Sequence, residues 1–202
     1  MNTREYRKRV LATEAADWDA VRARLRDDRH LRILHAAMGL ASEIGELTAA
    51  IKAESPSSID VIEELGDALW YCAVGLHTAD GALAFSPLPS DAEVNVPRDA
   101  WGECSVWLEL LVVEAGEILS IAQAWFYYGR DMDLMRLRVR FEMAVHCLQI
   151  IGARCSMSTS DIMETNVRKL HGKRYKGGVF SEQAANVRDI EAERSAMEEK
   201  KG

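Results

Sequence analysis

Residues Leu40 to Tyr71, LASEIGELTAAIKAESPSSIDVIEELGDALWY, hold two acidic pairs of the same spacing, Glu43 with Glu46 and Glu64 with Asp67. Positions i and i+3 share one face of a helix, so each pair sets two carboxylates side by side. Between the pairs lies Ser55-Pro56-Ser57-Ser58, a turn signal. Two helices folded back at that turn bring all four carboxylates to one place. Like charges so arranged repel unless a cation sits between them, and a hard divalent ion with oxygen ligands is the simplest cation that fits.

The helical period supports this. Leu40, Ile44, Leu47 and Ile51 form one apolar stripe, with Glu43 and Glu46 flanking it. On the second helix Leu65, Leu69, Cys72 and Leu76 form the stripe, and Glu64, Asp67 and Tyr71 cluster beside it. Acids at the edge of a buried face can build a partly desolvated metal site. Acids opposite that face are merely solvated, which is the ordinary fate of a single E-x-x-E. Asp60 to Glu63 fits a capping box, with Asp60 as N-cap, and so Glu63 stands outside the expected site.

Working outward, the rest of the chain reads as helical. Residues 3 to 28 predict one broken or two short helices, packing through Tyr6, Val10, Leu11, Trp18, Val21 and Leu25. Asp27 to His30 reads as a polar joint before a helix over 31–53, and the second acidic pair sits on a helix over 61–78. A loop over 81–98 holds Pro87, Pro89 and Pro97. Two more long helices follow, over 99–128 and 132–154, hinged at Gly129-Arg130-Asp131. They read as a degenerate copy of the first hairpin: Glu114 and Glu117 parallel Glu43 and Glu46, and Cys147 falls on Cys72 when Glu142 is set on Asp67. Val139 then stands in place of Glu64, so the second E-x-x-D is gone. Glu114 and Glu117 are either remnants or plain surface residues. A short helix over 160–170, a basic loop Lys173-Arg174-Tyr175-Lys176-Gly177-Gly178 and a charged helix over 181–199 complete the chain.

The expected fold is therefore all-α: one domain over 1–202, with a catalytic hairpin (31–79), a degenerate hairpin (99–154) and a basic tail with a C-terminal helix (160–200). At 202 residues, with 48% hydrophobic content, the chain can bury a substantial core. Its net charge of −7 argues against a nucleic-acid polymer as partner. No apolar run is long enough for a membrane span, and the basic start leads into no apolar signal segment. The four cysteines lack C-x-x-C spacing and read as reduced core residues of a cytoplasmic protein. His35 lies about 16 Å along the axis from Glu46, too far to share its ion, and reads as packed or substrate-side. His77 and His146 read as core or interface residues. No E-x-x-H spacing supports a di-iron bundle, and no Gly-rich phosphate loop or nucleophile motif occurs.

The segments HAAMGLASEIGELTAAIK and VIEELGDALWYCAVGL resemble the signature of the MazG-like, all-α nucleoside triphosphate pyrophosphohydrolases. That signature has E-x-x-E, a spacer and E-x-x-D, preceded by G-L and followed by L-W-Y. Here these are Gly39-Leu40, Glu43, Glu46, Glu64, Asp67 and Leu69-Trp70-Tyr71. A weaker match near the C-terminus, NVRKLHGKRYKGGVFSEQAANVRD, is similar to the family's N-x-x-K-L-x-x-R-Y tail, and it implies substrate contacts from Asn166, Lys169, Arg174 and Tyr175. The sequence departs from the family in its Lys-Gly-Gly after R-Y and in the hairpin inserted between the matched regions. Both leave open whether the tail serves its own site or a neighbouring subunit's, and the basic loop reads otherwise as a solvated turn.

The resemblance implies two or three Mg²⁺ or Mn²⁺ ions held by Glu43, Glu46, Glu64 and Asp67. These would offset the roughly four negative charges of a nucleoside triphosphate and lower the pKa of a water, with one carboxylate as general base. The products would be a nucleoside monophosphate and pyrophosphate. Which carboxylate is the base, and whether the α or β phosphorus is attacked, stay open. Likeness to the phage-type members points to a purine (guanine) deoxynucleotide, in the host cytoplasm if the chain is phage-encoded. Phosphoribosyl-ATP pyrophosphohydrolysis and a non-catalytic helical assembly role are the alternatives. Apolar stripes on several long helices imply a homodimer or tetramer.

Overall fold

The polar run Asp27 to His30 is a helix start rather than a joint. Asp27 Oδ1 accepts from the His30 amide at 2.9 Å, an N-cap, and the helix then runs unbroken from Asp28 to Lys52. The computed structural model describes residues 1–14, 17–85, 100–175 and 178–198, with side chains of 100–103 excepted. Pro87, Pro89, Pro97, Lys176, Gly177 and the last four residues fall outside this range.

The described residues are helical throughout, without strands: α1 (Thr3–Ala12), α2 (Trp18–Arg24), α3 (Asp28–Lys52), α4 (Ser58–Thr78), α5 (Ala100–Phe126), α6 (Leu134–Arg154), α7 (Thr159–Val167), a π-helical segment (Arg168–Arg174), α8 (Glu182–Asn186) and α9 (Ile190–Glu198). The hairpins α3/α4 and α5/α6 pack on each other, α3 against α5 and α4 against α6, as a four-helix bundle. Helix α7 lies on α4 and α6, and α9 returns to pack on the π-helical segment and α4. The C-terminal segment thus covers one side of the first hairpin.

One continuous core explains this arrangement. Leu40, Ile44, Leu47 and Ile51 of α3 are buried with Leu65, Leu69, Cys72 and Leu76 of α4, the two stripes read from the sequence. With Glu114 set on Glu43, the matching residues of α5 are Leu111, Ala115, Ile118 and Ala122, and all four are buried too. Each fully buried Leu or Ile contributes about 1.5–3 kcal/mol. Cys72, Cys104 and Cys147 are buried and Cys155 partly so, and none of the four forms a disulfide.

Several expectations fail at the edges. The N-cap of α4 is Ser57, whose Oγ accepts from the Asp60 amide at 3.4 Å, so Asp60 lies inside the first turn and builds no capping box with Glu63. Among the expected N-terminal packing residues only Val21 is buried; Tyr6, Val10, Leu11 and Trp18 are exposed, and α1 buries nothing. A ten-residue helix with its cations spread around it has no wide apolar face to dock. His77 is exposed, not core, and His146 is half-buried against Trp107. The C-terminal helix is two helices, because Asp189 Oδ1 accepts from the Ala192 amide at 3.0 Å and starts α9 afresh.

Candidate metal and ligand site

Two glycines let the first hairpin and the tail approach closely. A Cβ on Gly39 would lie 2.0 Å from the Tyr71 ring, and one on Gly66 would lie 2.8 Å from Asn166 Cβ. The Tyr71 ring therefore packs directly against the α3 backbone, and α7 can set Asn166 directly on α4. The glycines of the G-L and L-G-D motifs are packing devices.

Glu43 and Glu46 of α3 and Glu64 of α4 converge. Each offers an oxygen, and the three oxygens lie within 4.8 Å of one another. Oxygens bound to one ion at about 2.0–2.6 Å lie up to about 4–5 Å apart, so this spread is compatible with one ion, and an all-carboxylate set suits a hard divalent cation. Glu43 and Glu64 are half-buried, Glu46 exposed. Burial first, and then the Asp67 charge, push Glu43 up to about 7. Burial, a hydrogen bond with Glu43 and the Glu46 charge push Glu64 up to about 8. A cation bound between them would oppose both shifts and favour the ionised carboxylates.

Asp67, the fourth expected ligand, is held differently. Its Oδ2 accepts from Lys169 Nζ at 2.5 Å and its Oδ1 from Asn166 Nδ2 at 2.6 Å. Lys169 Nζ also donates to Glu63 Oε1 at 3.2 Å. Sequence reasoning set Glu63 aside, yet it lies one turn from Asp67 on the same face, and that i, i+4 spacing was the available signal.

These groups line a cavity of about 520 Å³, a size suited to a small organic ligand. Glu43, Glu46, Glu64 and Asp67 form one wall. His35, Trp70 and Tyr71 form a second, with His35 edge-on to both rings. The C-terminal segment closes the third with Arg174, Tyr175, Phe180 and Arg188. Of the four tail residues expected at the substrate, Arg174 and Tyr175 reach the cavity; Asn166 and Lys169 lie behind the carboxylates, bonded to Asp67. Arg188 was not foreseen.

The second hairpin shows what becomes of the same acids beside cations. Glu114 accepts from Arg140 Nη1 at 3.2 Å with both oxygens, and Glu117 pairs with Arg136. Arg136 and Arg140 come from α6, on the side facing the acids. Glu114 and Glu117 are thus engaged in ion pairs within the second hairpin. No hydrogen bond or ion pair from an Arg or Lys reaches Glu43, Glu46 or Glu64 among the described residues. No family model matches the chain, and no match was found among curated proteins or solved structures.

Proposed function

We propose that the protein is a metal-dependent nucleoside triphosphate pyrophosphohydrolase of the MazG-like kind, converting a (d)NTP and water into a (d)NMP and pyrophosphate. The observation that carries this reading is the convergence of Glu43, Glu46 and Glu64 from two helices, without a protein cation, on the wall of a nucleotide-sized cavity. The motif resemblance supplies the reaction class.

Glu43, Glu46 and Glu64 would hold Mg²⁺ or Mn²⁺, which supplies charge neutralisation for the phosphates and an acidified water. Asp67 is oriented by Lys169 and Asn166 and faces the same cavity, as a further ligand or as proton acceptor. Trp70 is 40% exposed on the aromatic wall and offers a flat face for a base, while His35 and Tyr71 limit the space beside it.

The assembly reading rests on the second hairpin. Val106, Leu110 and Val113 of α5 and Val139 and Met143 of α6 are all exposed large apolar side chains. They recur at i, i+4 and i+7 spacing, and a second copy of the chain would cover them in a homodimer or tetramer. Four cysteines without a disulfide suit a reducing compartment, and our reading sets the activity in the cytoplasm. A panel of NTPs and dNTPs with Mg²⁺ or Mn²⁺, scored for pyrophosphate and monophosphate, tests the function. Release of orthophosphate alone, or no turnover of any member, contradicts it.

A further inference from the structure

Three cations of the C-terminal segment lie near the acidic wall, and they differ in what they still have to give. Lys169 is fully buried, with Nζ on Asp67 and Glu63. Moving it would leave two carboxylates without their buried partner. The Arg174 side chain is 13% exposed, and its Nε and Nη2 are both taken by Glu193, at 2.9 and 2.6 Å. It shares this two-atom grip on Glu193 with Arg188, but it is far less exposed, so less of its guanidinium is open to a ligand.

Arg188 is placed otherwise. It lies between α8 and α9, its side chain is 40% exposed, and it lines the cavity. Nη2 donates to Glu193 at 2.7 Å and to Glu63 at 3.3 Å, and Nε donates to Glu193 at 3.3 Å. Nη1 donates to nothing among the described residues. Glu193 is buried and grips both guanidiniums at once; burial alone would push its carboxyl up, but the hydrogen bonds from Arg174 and Arg188 outweigh that and hold it at about 2. The guanidinium plane of Arg188 is thus fixed along one edge while the other edge stays free. A planar group held so loses little freedom on binding an oxyanion.

We propose that Arg188 is the residue that grips the polyphosphate end of the ligand, in the place the tail motif gives to Lys169, and that Glu193 positions it. This inference rests on the proposed function for the identity of the ligand. Lys169, Arg174 and Arg188 are balanced by Glu63, Asp67 and Glu193. The clamp therefore has little net charge of its own, and it takes an anion only once the carboxylate triad is loaded with a cation.

The test uses the full chain and inorganic tripolyphosphate, added as its Mn²⁺ complex and followed by calorimetry. Mn²⁺ binding and circular dichroism are checked for each variant. Arg188→Ala should weaken tripolyphosphate binding about ten- to a hundredfold, the weight of a charge-assisted hydrogen bond, with Mn²⁺ binding unchanged. Arg188→Lys should recover part of the loss, because charge returns without the fork. Arg194→Ala removes the 2.9 Å pair with Asp60 that also ties α9 to α4, away from the cavity, and should bind as the wild type does. Wild-type binding by Arg188→Ala overturns the proposal, and so does no tripolyphosphate binding by the wild type. An equal loss in Arg194→Ala overturns it too, since Arg188 would then be only an anchor for α9. Arg188-dependent binding in a protein that cleaves no nucleoside triphosphate sustains the clamp and overturns the proposed function. Turnover unaffected by Arg188→Ala does the reverse.

Discussion

Lys169 Nζ lies 2.5 Å from Asp67 Oδ2, and the lysine side chain is wholly inaccessible to solvent. The ammonium is therefore part of the acidic wall's own architecture. It spans from the π-helical segment to α4, where it also meets Glu63.

The first prediction follows from that burial. Lys169→Met should cost roughly 3–5 kcal/mol, because it leaves Asp67 and Glu63 without their buried counter-charge. Denaturant melting measures this. A loss of ligand affinity with unchanged stability would instead make Lys169 a substrate contact.

A second prediction concerns pH. Glu43 and Glu64 are raised from an ordinary value of 4.5 to about 7 and about 8. A carboxylate raised on folding binds its proton more tightly in the native state, so its contribution is full below about pH 4.5 and is lost as pH rises through 7 to 8. Metal-free protein should lose stability over that window relative to a Glu43→Gln, Glu64→Gln double variant, and Mn²⁺ should reverse the loss. Parallel stability curves for the two proteins would contradict the account.

The helix-packing claim is tested on two glycines of α3 and α4. A Cβ on Gly66 meets Asn166 at 2.8 Å, whereas one on Gly45 meets nothing within 4 Å. Gly66→Ala should destabilise by about 1–3 kcal/mol through overpacking. Gly45→Ala should stabilise by about 0.5–1 kcal/mol, since a mid-helix glycine is entropically costly. Equal effects in thermal melts would remove the close approach from the account.

The bundle was legible in the sequence because its stripes obey the helical period, and the expected stripe residues of α3 and α4 are all buried. Glu43, Glu46 and Glu64 were legible for the same reason: acids flanking a stripe must lie at its edge. What escaped was tertiary. Glu63 was assigned to a local cap, but Ser57 takes that role and frees Glu63 for a lysine 106 residues away. Lys169 was expected at the substrate from the tail motif, and only its pairing with Asp67 and Glu63 across the fold shows it buried behind the acidic wall. Arg188 was hidden inside an expected continuous helix that Asp189 divides.

Assembly gives a fourth prediction. The exposed apolar residues of α5 and α6 should be covered by a second copy, so sedimentation at micromolar concentration should give a dimer or tetramer. Val113→Asp with Val139→Asp should yield monomers of the same helicity. A wild-type monomer would remove these side chains, 57% and 47% exposed, from any interface.

The central claim is that Glu43, Glu46 and Glu64 together hold the cation that the reaction needs. The most direct measurement is Mn²⁺ binding by calorimetry on wild type and Glu64→Gln, with pyrophosphate release followed on the same samples. Glu64→Gln keeps the volume and removes the charge. The account predicts that wild type binds Mn²⁺ and releases pyrophosphate, and that Glu64→Gln folds but loses most of both. A wild type that binds no divalent cation, or a Glu64→Gln protein that binds and turns over like wild type, would contradict it.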